Sequence, residues 1–163
     1  MLVETARLWL DLGFYSATKE GKFCINGVTG PDEYNTVVNN NTYTNLMARE
    51  NLWYAAATLS RLQQEHPARF AELTREIHLD PSEIADWKRA GDQMYVPFDP
   101  PRGIHLQDEG FLDKKPWDFA GVPAEKYPLL LHFHPLVIYR HQVIKQADVV
   151  LRSEERRVGK ECR

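Results

Sequence analysis

The chain is short of cysteine, of surplus positive charge and of long apolar runs, and each shortage removes a class of protein. Two cysteines in 163 residues, Cys24 and Cys162, are too few for a disulfide framework, and such usage fits a reducing, cytoplasmic setting. Twenty Lys and Arg against 23 Asp and Glu leave a formal charge of −3. A nucleic-acid binder needs a cationic surplus to displace counterions, so no nucleic-acid partner is expected. No apolar stretch approaches the roughly 20 residues of a bilayer-spanning helix. The opening MLVETARLWLDLG is interrupted by Glu4, Arg7 and Asp11, so neither a signal peptide nor a membrane partner is expected. Internal repeats and low-complexity tracts are also lacking. What remains is 43% hydrophobic and 26% charged, an ordinary globular composition with room for one domain or a slice of a larger one. Four Trp, seven Tyr and seven Phe usually pack cores. Flat apolar walls beside carboxylates and amides also line sugar pockets, so the composition permits a carbohydrate site without establishing one.

Helical periodicity dominates. Residues 2–12 place Leu2, Val3, Ala6, Trp9 and Leu10 on one face, with Gly13 as a left-handed stop. A turn-rich loop follows, and Asn39, Asn40, Asn41 and Thr42 offer side chains that cap free backbone N–H groups. They precede a long helix over about 43–64, on which Leu52, Ala56, Leu59 and Gln63 stack, with Leu46 and Trp53 nearby. His66-Pro67 ends or interrupts it. A short helix is expected at 68–76. The next one opens on Asp80, Pro81 and Glu83, a capping box, with Ile84, Trp87 and Ala90 as its apolar stripe. From Tyr95 to Pro128 nine prolines and glycines break every pattern, but the interleaved aromatics predict an ordered, functional loop. The last helix is expected at 135–151, buried through Leu136, Val143 and Val150 with Val137, Ile144 and Leu151 beside them.

Glu33 is the leading chemical residue. It follows Thr29-Gly30-Pro31-Asp32 in a turn able to hold one acid at the mouth of a helical scaffold. Glycoside cleavage needs a carboxylic acid to protonate the departing oxygen, and burial among aromatics such as Tyr34 and Phe23 would keep it protonated. Taken alone, an acid in a Gly-Pro turn is more often a solvated loop residue. Asp32 adjoins it, but chain neighbours point different ways, so Asp32 is expected to brace the turn. His132, His134 and His141 lack a convincing fourth ligand for a metal and read as satisfied helix-end histidines.

The longer strings carry more weight. Asn26-Gly27-Val28-Thr29-Gly30-Pro31-Asp32-Glu33-Tyr34, with Val37-Val38-Asn39-Asn40-Asn41-Thr42-Tyr43-Thr44-Asn45, resembles the central motif of glycoside hydrolase family 65. That family contains maltose, trehalose, kojibiose and nigerose phosphorylases and some hydrolases. Glu4-Thr5-Ala6-Arg7-Leu8-Trp9, Ala48-Arg49-Glu50-Asn51-Leu52 and Tyr127-Pro128-Leu129-Leu130-Leu131-His132 also fit it. So does Tyr139-Arg140-His141-Gln142-Val143-Ile144-Lys145-Gln146-Ala147-Asp148-Val149. The resemblance covers nearly all of residues 1–151.

It implies an all-α fold, part of an (α/α)6 barrel with a long irregular loop region, and a cytoplasmic, homodimeric parent enzyme. It implies Glu33 as general acid, Lys145 and Gln146 as contacts to the transferred glucosyl unit near the incoming phosphate, and Glu109 at the site entrance, toward the acceptor sugar. Without the family, Lys145 reads as a helix-surface residue paired with Asp148 or Gln142. Gln146 reads as a buried amide between helices, and Glu109 as part of a turn that buries Phe111. The implied reaction is inverting phosphorolysis of an α-linked glucose disaccharide to β-glucose 1-phosphate and glucose. Disaccharide and inorganic phosphate are the partners, phosphate the co-substrate, with no other cofactor and no metal. An α,α-trehalase-like hydrolase and a non-enzymatic helical interaction module are the rivals. The family's upstream Trp-Asp sugar contacts and downstream phosphate-binding loop are expected outside residues 1–151, so this stretch alone is expected to be inactive. Residues 152–163, RSEERRVGKECR, form a charged tail that resembles the translation of a common sequencing-library adapter and is read as non-native.

Overall fold

The computed structural model describes residues 1–151; the tail reading, Cys162 included, lies outside the described residues. The chain divides into two compact units, one of residues 1–25 with 45–95, the other of residues 26–44 with those from 96 onward. Helices predominate, and among the described residues they are joined by three two-stranded sheets, so the fold is not purely α.

In the first unit, α1 (Leu2–Leu12) buries Val3 and Ala6 and leaves Leu8 and Leu12 about half exposed. Gly13 does not close it in the left-handed conformation. It is extended (φ −96°, ψ 171°) and begins β1 (Gly13–Ser16), which pairs antiparallel with β2 (Lys22–Ile25). Glycine is needed here for space, because a Cβ would run into the Phe23 ring. Phe23 is itself buried and meets Tyr15 edge-on, ring centroids 5.1 Å apart. Helix α2 (Thr42–Glu65), which belongs to this unit from residue 45 onward, turns Leu52, Ala56 and Leu59 inward with Ala48 and Ala55, and Gln63 stays exposed. His66 separates it from α3 (Pro67–Glu76), since the residue before a proline is driven out of helical conformation. The capping box before α4 (Ser82–Asp92) forms as its sequence dictates. Asp80 Oδ1 accepts from the Ser82 amide at 2.9 Å, and Glu83 Oε1 accepts from the Asp80 amide at 3.0 Å. Trp87 and Ala90 on this helix are fully buried. Arg7 ties α1 to α4, with Nε 2.7 Å and Nη2 2.9 Å from the two Glu83 oxygens.

In the second unit the Pro/Gly-rich stretch is ordered, as its aromatics require, but unevenly buried. Trp117 joins Tyr34, Leu129, Ile138 and Val143 in a core cluster, while Phe98 and Phe119 stay exposed and Phe111 is half-buried. Strands β3 (Phe98–Asp99) and β4 (Ile104–His105) form a short antiparallel ladder. The expected helix over 135–151 does not exist as one element. Helix α5 (Pro135–Tyr139) stops after five residues, and β6 (His141–Gln142) pairs in parallel with β5 (Lys115–Pro116). The backbone groups a helix would use are claimed elsewhere. The Arg140 carbonyl accepts from Lys115 N, and the amides of Lys145, Gln146 and Asp148 donate to side chains of Asp32 and Gln107. The heptad spacing of Leu136, Val143 and Val150 therefore does not mark one buried helical stripe: Val143 is buried, and so is Ile138 on α5, but Leu136, Ile144 and Val150 are not. No described helix is long and apolar enough to cross a membrane.

Candidate active site

The site lies wholly in the second unit and begins with a local turn. Val28 and Val38 exchange backbone bonds of 2.9 and 2.8 Å, closing a loop that presents residues 29–37. Within it Asp32 Oδ1 accepts from the Tyr34 amide at 3.2 Å, the short-range turn that Asp favours. That turn sends Asp32 inward, fully buried, and Glu33 outward, its side chain 59% exposed. Tyr34 goes inward again, and its hydroxyl accepts from the Leu129 amide at 2.8 Å.

Buried Asp32 gathers donors from the whole unit. Besides Tyr34 N, Oδ1 accepts from Lys145 N at 2.9 Å and Gln146 N at 3.3 Å, and Oδ2 from Asn35 Nδ2 at 2.6 Å and Gln107 Nε2 at 3.2 Å. Satisfying a buried carboxylate this fully is what makes its burial tolerable. Its partners are themselves committed. Asn35 Nδ2 also donates to Val143 O at 3.1 Å and its Oδ1 accepts from Lys114 Nζ at 2.5 Å. Gln107 Nε2 also donates to Gln146 O at 3.0 Å and its Oε1 accepts from Asp148 N at 3.2 Å. Asp148 is fully buried and accepts from Asn41 Nδ2 at 2.9 Å, while Asn41 Oδ1 caps α2 by accepting from Thr44 N at 2.9 Å. Burial raises the Asp148 carboxyl above the usual range, and it does the same to Asp108, beside which Lys114 Nζ lies at 3.6 Å.

This frame brings two of the sequence-predicted residues together. Lys145 Nζ lies 2.5 Å from Glu33 Oε2, from a position 112 residues further along the chain. The hydrogen bond to Glu33 is the main cause that raises the Lys145 ammonium above its ordinary value. Lys145 is not on a helix and pairs with neither Asp148 nor Gln142, because its amide is held by Asp32 in a bend. Gln146 is held at both its amide and its carbonyl, and its side chain is exposed rather than buried between helices. Glu109 stands apart from this clamp: its carboxylate accepts from Asn40 Nδ2 at 2.7 Å and its amide donates to Asn39 O at 3.2 Å. The expected aromatic enclosure of Glu33 by Tyr34 and Phe23 is not formed. Tyr34 turns the other way and Phe23 belongs to the core of the first unit. The histidines flanking α5 bond to backbone: His134 Nδ1 accepts from Leu136 N, and His141 Nδ1 lies 2.6 Å from Val137 O. Chemically, the clamp offers an exposed carboxyl group able to transfer a proton and an ammonium beside it able to face an anion or a hydroxyl.

In the sequence Asp32 reads only as a turn brace and Asp148 only as a pair for Lys145, and nothing marks Asn35 or Lys114. The Asp-x-Tyr-Asn spacing signals the local turn, but no local pattern reports partners that lie 39 to 114 residues away.

Residues 1–154 match the model of the glycosyl hydrolase family 65 central catalytic domain. The chain belongs to this family. It is 52% identical over 151 residues to an α,α-trehalose phosphorylase of Geobacillus stearothermophilus, covering 93% of this chain and 19% of that protein. Against an α,α-trehalose phosphorylase of Thermoanaerobacter brockii the identity is 46% over 151 residues, covering 93% and 20%. A solved structure from the human microbiome, described as a kojibiose phosphorylase, superposes with a TM-score of 0.75 at 31% identity, covering 91% of this chain and 20% of that one. The chain thus spans about a fifth of the length of these family 65 relatives.

Proposed function

We propose that residues 1–151 form part of a larger (α/α)6-barrel catalytic domain. Its enzyme phosphorolyses an α-linked glucose disaccharide with inversion, releasing β-glucose 1-phosphate and glucose. The observation that carries the reading is the Glu33–Lys145 pair, 2.5 Å apart on a buried carboxylate clamp, inside a family 65 catalytic segment. Glu33 acts as general acid and gives its proton to the glycosidic oxygen as the bond to the anomeric carbon breaks. An oxygen of inorganic phosphate forms the new bond to that carbon from the opposite face. Phosphate is already an anionic nucleophile, so no second carboxylate is needed as base. Lys145 and Gln146 hold the glucosyl unit near the phosphate, and arrival of that anion gives the Lys145 ammonium a negative partner other than Glu33, which carries its proton when it acts as the acid. Glu109 belongs toward the acceptor sugar. Phosphate is the co-substrate, with no other cofactor, and the full-length enzyme is a homodimer; residues 1–151 alone are inactive.

The identities of 52% and 46% to trehalose phosphorylases, against 31% to the kojibiose phosphorylase structure, favour α,α-trehalose as the disaccharide. The test uses the full-length enzyme carrying this segment, incubated with trehalose with and without phosphate. β-Glucose 1-phosphate should form only with phosphate, and Glu33→Gln should lower kcat by about 10²- to 10⁴-fold. Free glucose without sugar phosphate in both incubations would establish a hydrolase instead. Unchanged turnover in Glu33→Gln would leave the acid with a structural role.

A further inference from the structure

The geometry assigns to Asp32 the task of setting the register between the acid and the Lys145-Gln146 pair: it is a positioning residue for the reaction, and this rests on the roles proposed for Glu33 and Lys145 above. Three observations converge on it. Asp32 is the residue immediately before Glu33, so whatever fixes its carboxylate fixes the origin of the Glu33 side chain. The same oxygen, Oδ1, accepts from the amides of both Lys145 and Gln146, at 2.9 and 3.3 Å. Those two bonds are the ones that hold the segment in a bend from which Lys145 Nζ reaches Glu33. Finally, the side chain is fully buried, and both of its oxygens accept from donors on either side. The carboxylate thus joins two stretches of chain over 110 residues apart through one rigid group.

The chemistry of the surroundings makes the isosteric change informative. In Asp32→Asn one oxygen becomes an NH₂ group that would face donors on either side. The neighbouring amides cannot flip to accommodate it. Asn35 is fixed by Val143 O and Lys114 Nζ, and Gln107 by Gln146 O and Asp148 N. The variant must therefore shift the segment, and a displacement of about 1 Å at a reacting pair costs about 100-fold in rate.

In the full-length enzyme, Asp32→Asn should lower kcat/KM for phosphorolysis about 100-fold. In a Lys145→Met background the same change should cost less than about tenfold, since residues acting through one another are non-additive. A residue that merely supported the fold would cost the same factor in both backgrounds, and that result overturns the assignment, as does wild-type kcat/KM in Asp32→Asn. Amide exchange supplies a direct reading: Lys145 and Gln146 should exchange at least about tenfold faster in the variant, with the Leu52 amide of α2 unchanged. Unaltered exchange at those two amides also overturns it. Should Asp32→Asn fail to fold, Gln107→Met removes one donor from Oδ2 and should still lower kcat/KM about tenfold; wild-type kinetics there count against the role. If Glu33→Gln abolishes turnover while Asp32→Asn keeps it, only the positioning role fails. If Glu33→Gln keeps full turnover, the proposed function fails first.

Discussion

Replacing Gly30 by alanine tests whether the loop carrying Glu33 is held by long-range contacts or merely by its own turn. A Cβ at Gly30 would lie 2.5 Å from Asn41 Nδ2, 2.5 Å from Asp148 Oδ2 and 2.6 Å from Asn41 Oδ1, wedged between two side chains that bond to each other at 2.9 Å. These atoms are buried side-chain groups rather than the free ends of flexible chains, so one of them must leave. Losing the bond to the buried Asp148 carboxyl costs about 1–3 kcal/mol. Moving Asn41 off the α2 amide of Thr44 removes a cap worth about 1 kcal/mol, and crowding a packed site costs a further 1–3 kcal/mol or so. The three effects share the same atoms and do not simply add, which places the total near 4 kcal/mol. That is a large part of the roughly 5–15 kcal/mol that holds a domain folded. Urea unfolding followed by tryptophan fluorescence, which Trp117 reports from the same unit, measures it. Gly110→Ala is the control: its Cβ would meet nothing nearer than Asp108 Oδ1 at 3.8 Å, its φ is −99°, and its cost should stay below about 1 kcal/mol. A Gly30→Ala loss no larger than the control's would refute the argument.

Two further outcomes follow from other parts of the molecule. Burial holds the Asp148 carboxyl above its ordinary value, so the fold favours its neutral form. That contribution is present below the ordinary aspartate value of about 3.9 and is lost as pH rises through the raised folded value. Asp148→Asn should therefore match the wild type near pH 4 and gain on it as pH increases, read as the difference in urea midpoint across a pH series; parallel profiles would contradict this. Arg7 forks onto Glu83 and reaches the carbonyls of Ile77 and His78 at 3.2 and 3.0 Å, a planar arrangement that a lysine cannot reproduce. Arg7→Lys should cost about 1–2 kcal/mol in thermal unfolding, and a lysine variant of full stability would show that charge alone suffices.

How far the chain could be read depended on the distance between interacting groups. The capping box at Asp80 and Glu83, the α2 start at Asn41 and the inward faces of α1 and α2 act over three or four residues, and each was legible. The family strings around Glu33 and Lys145 were legible too, because they are contiguous. Gly13 shows the first kind of failure: a glycine after a helix suggests a left-handed cap, but here it makes room for Phe23, ten positions further on, in the facing strand. The stretch after Pro135 shows the second. Its apolar spacing suits a helix, yet its amides are drawn off by Asp32 and Gln107.

By itself the sequence determined helices α1 to α4, the starts of α2 and α4, the turn that sends Asp32 and Glu33 opposite ways, and membership of a carbohydrate-active family. Only the tertiary structure decided that Asp32 is a buried five-donor hub, that Lys145 lies in a bend, and that its ammonium meets Glu33. The reason is that a buried carboxylate must find donors wherever the fold brings them, and in this chain two of them come from more than 110 residues away.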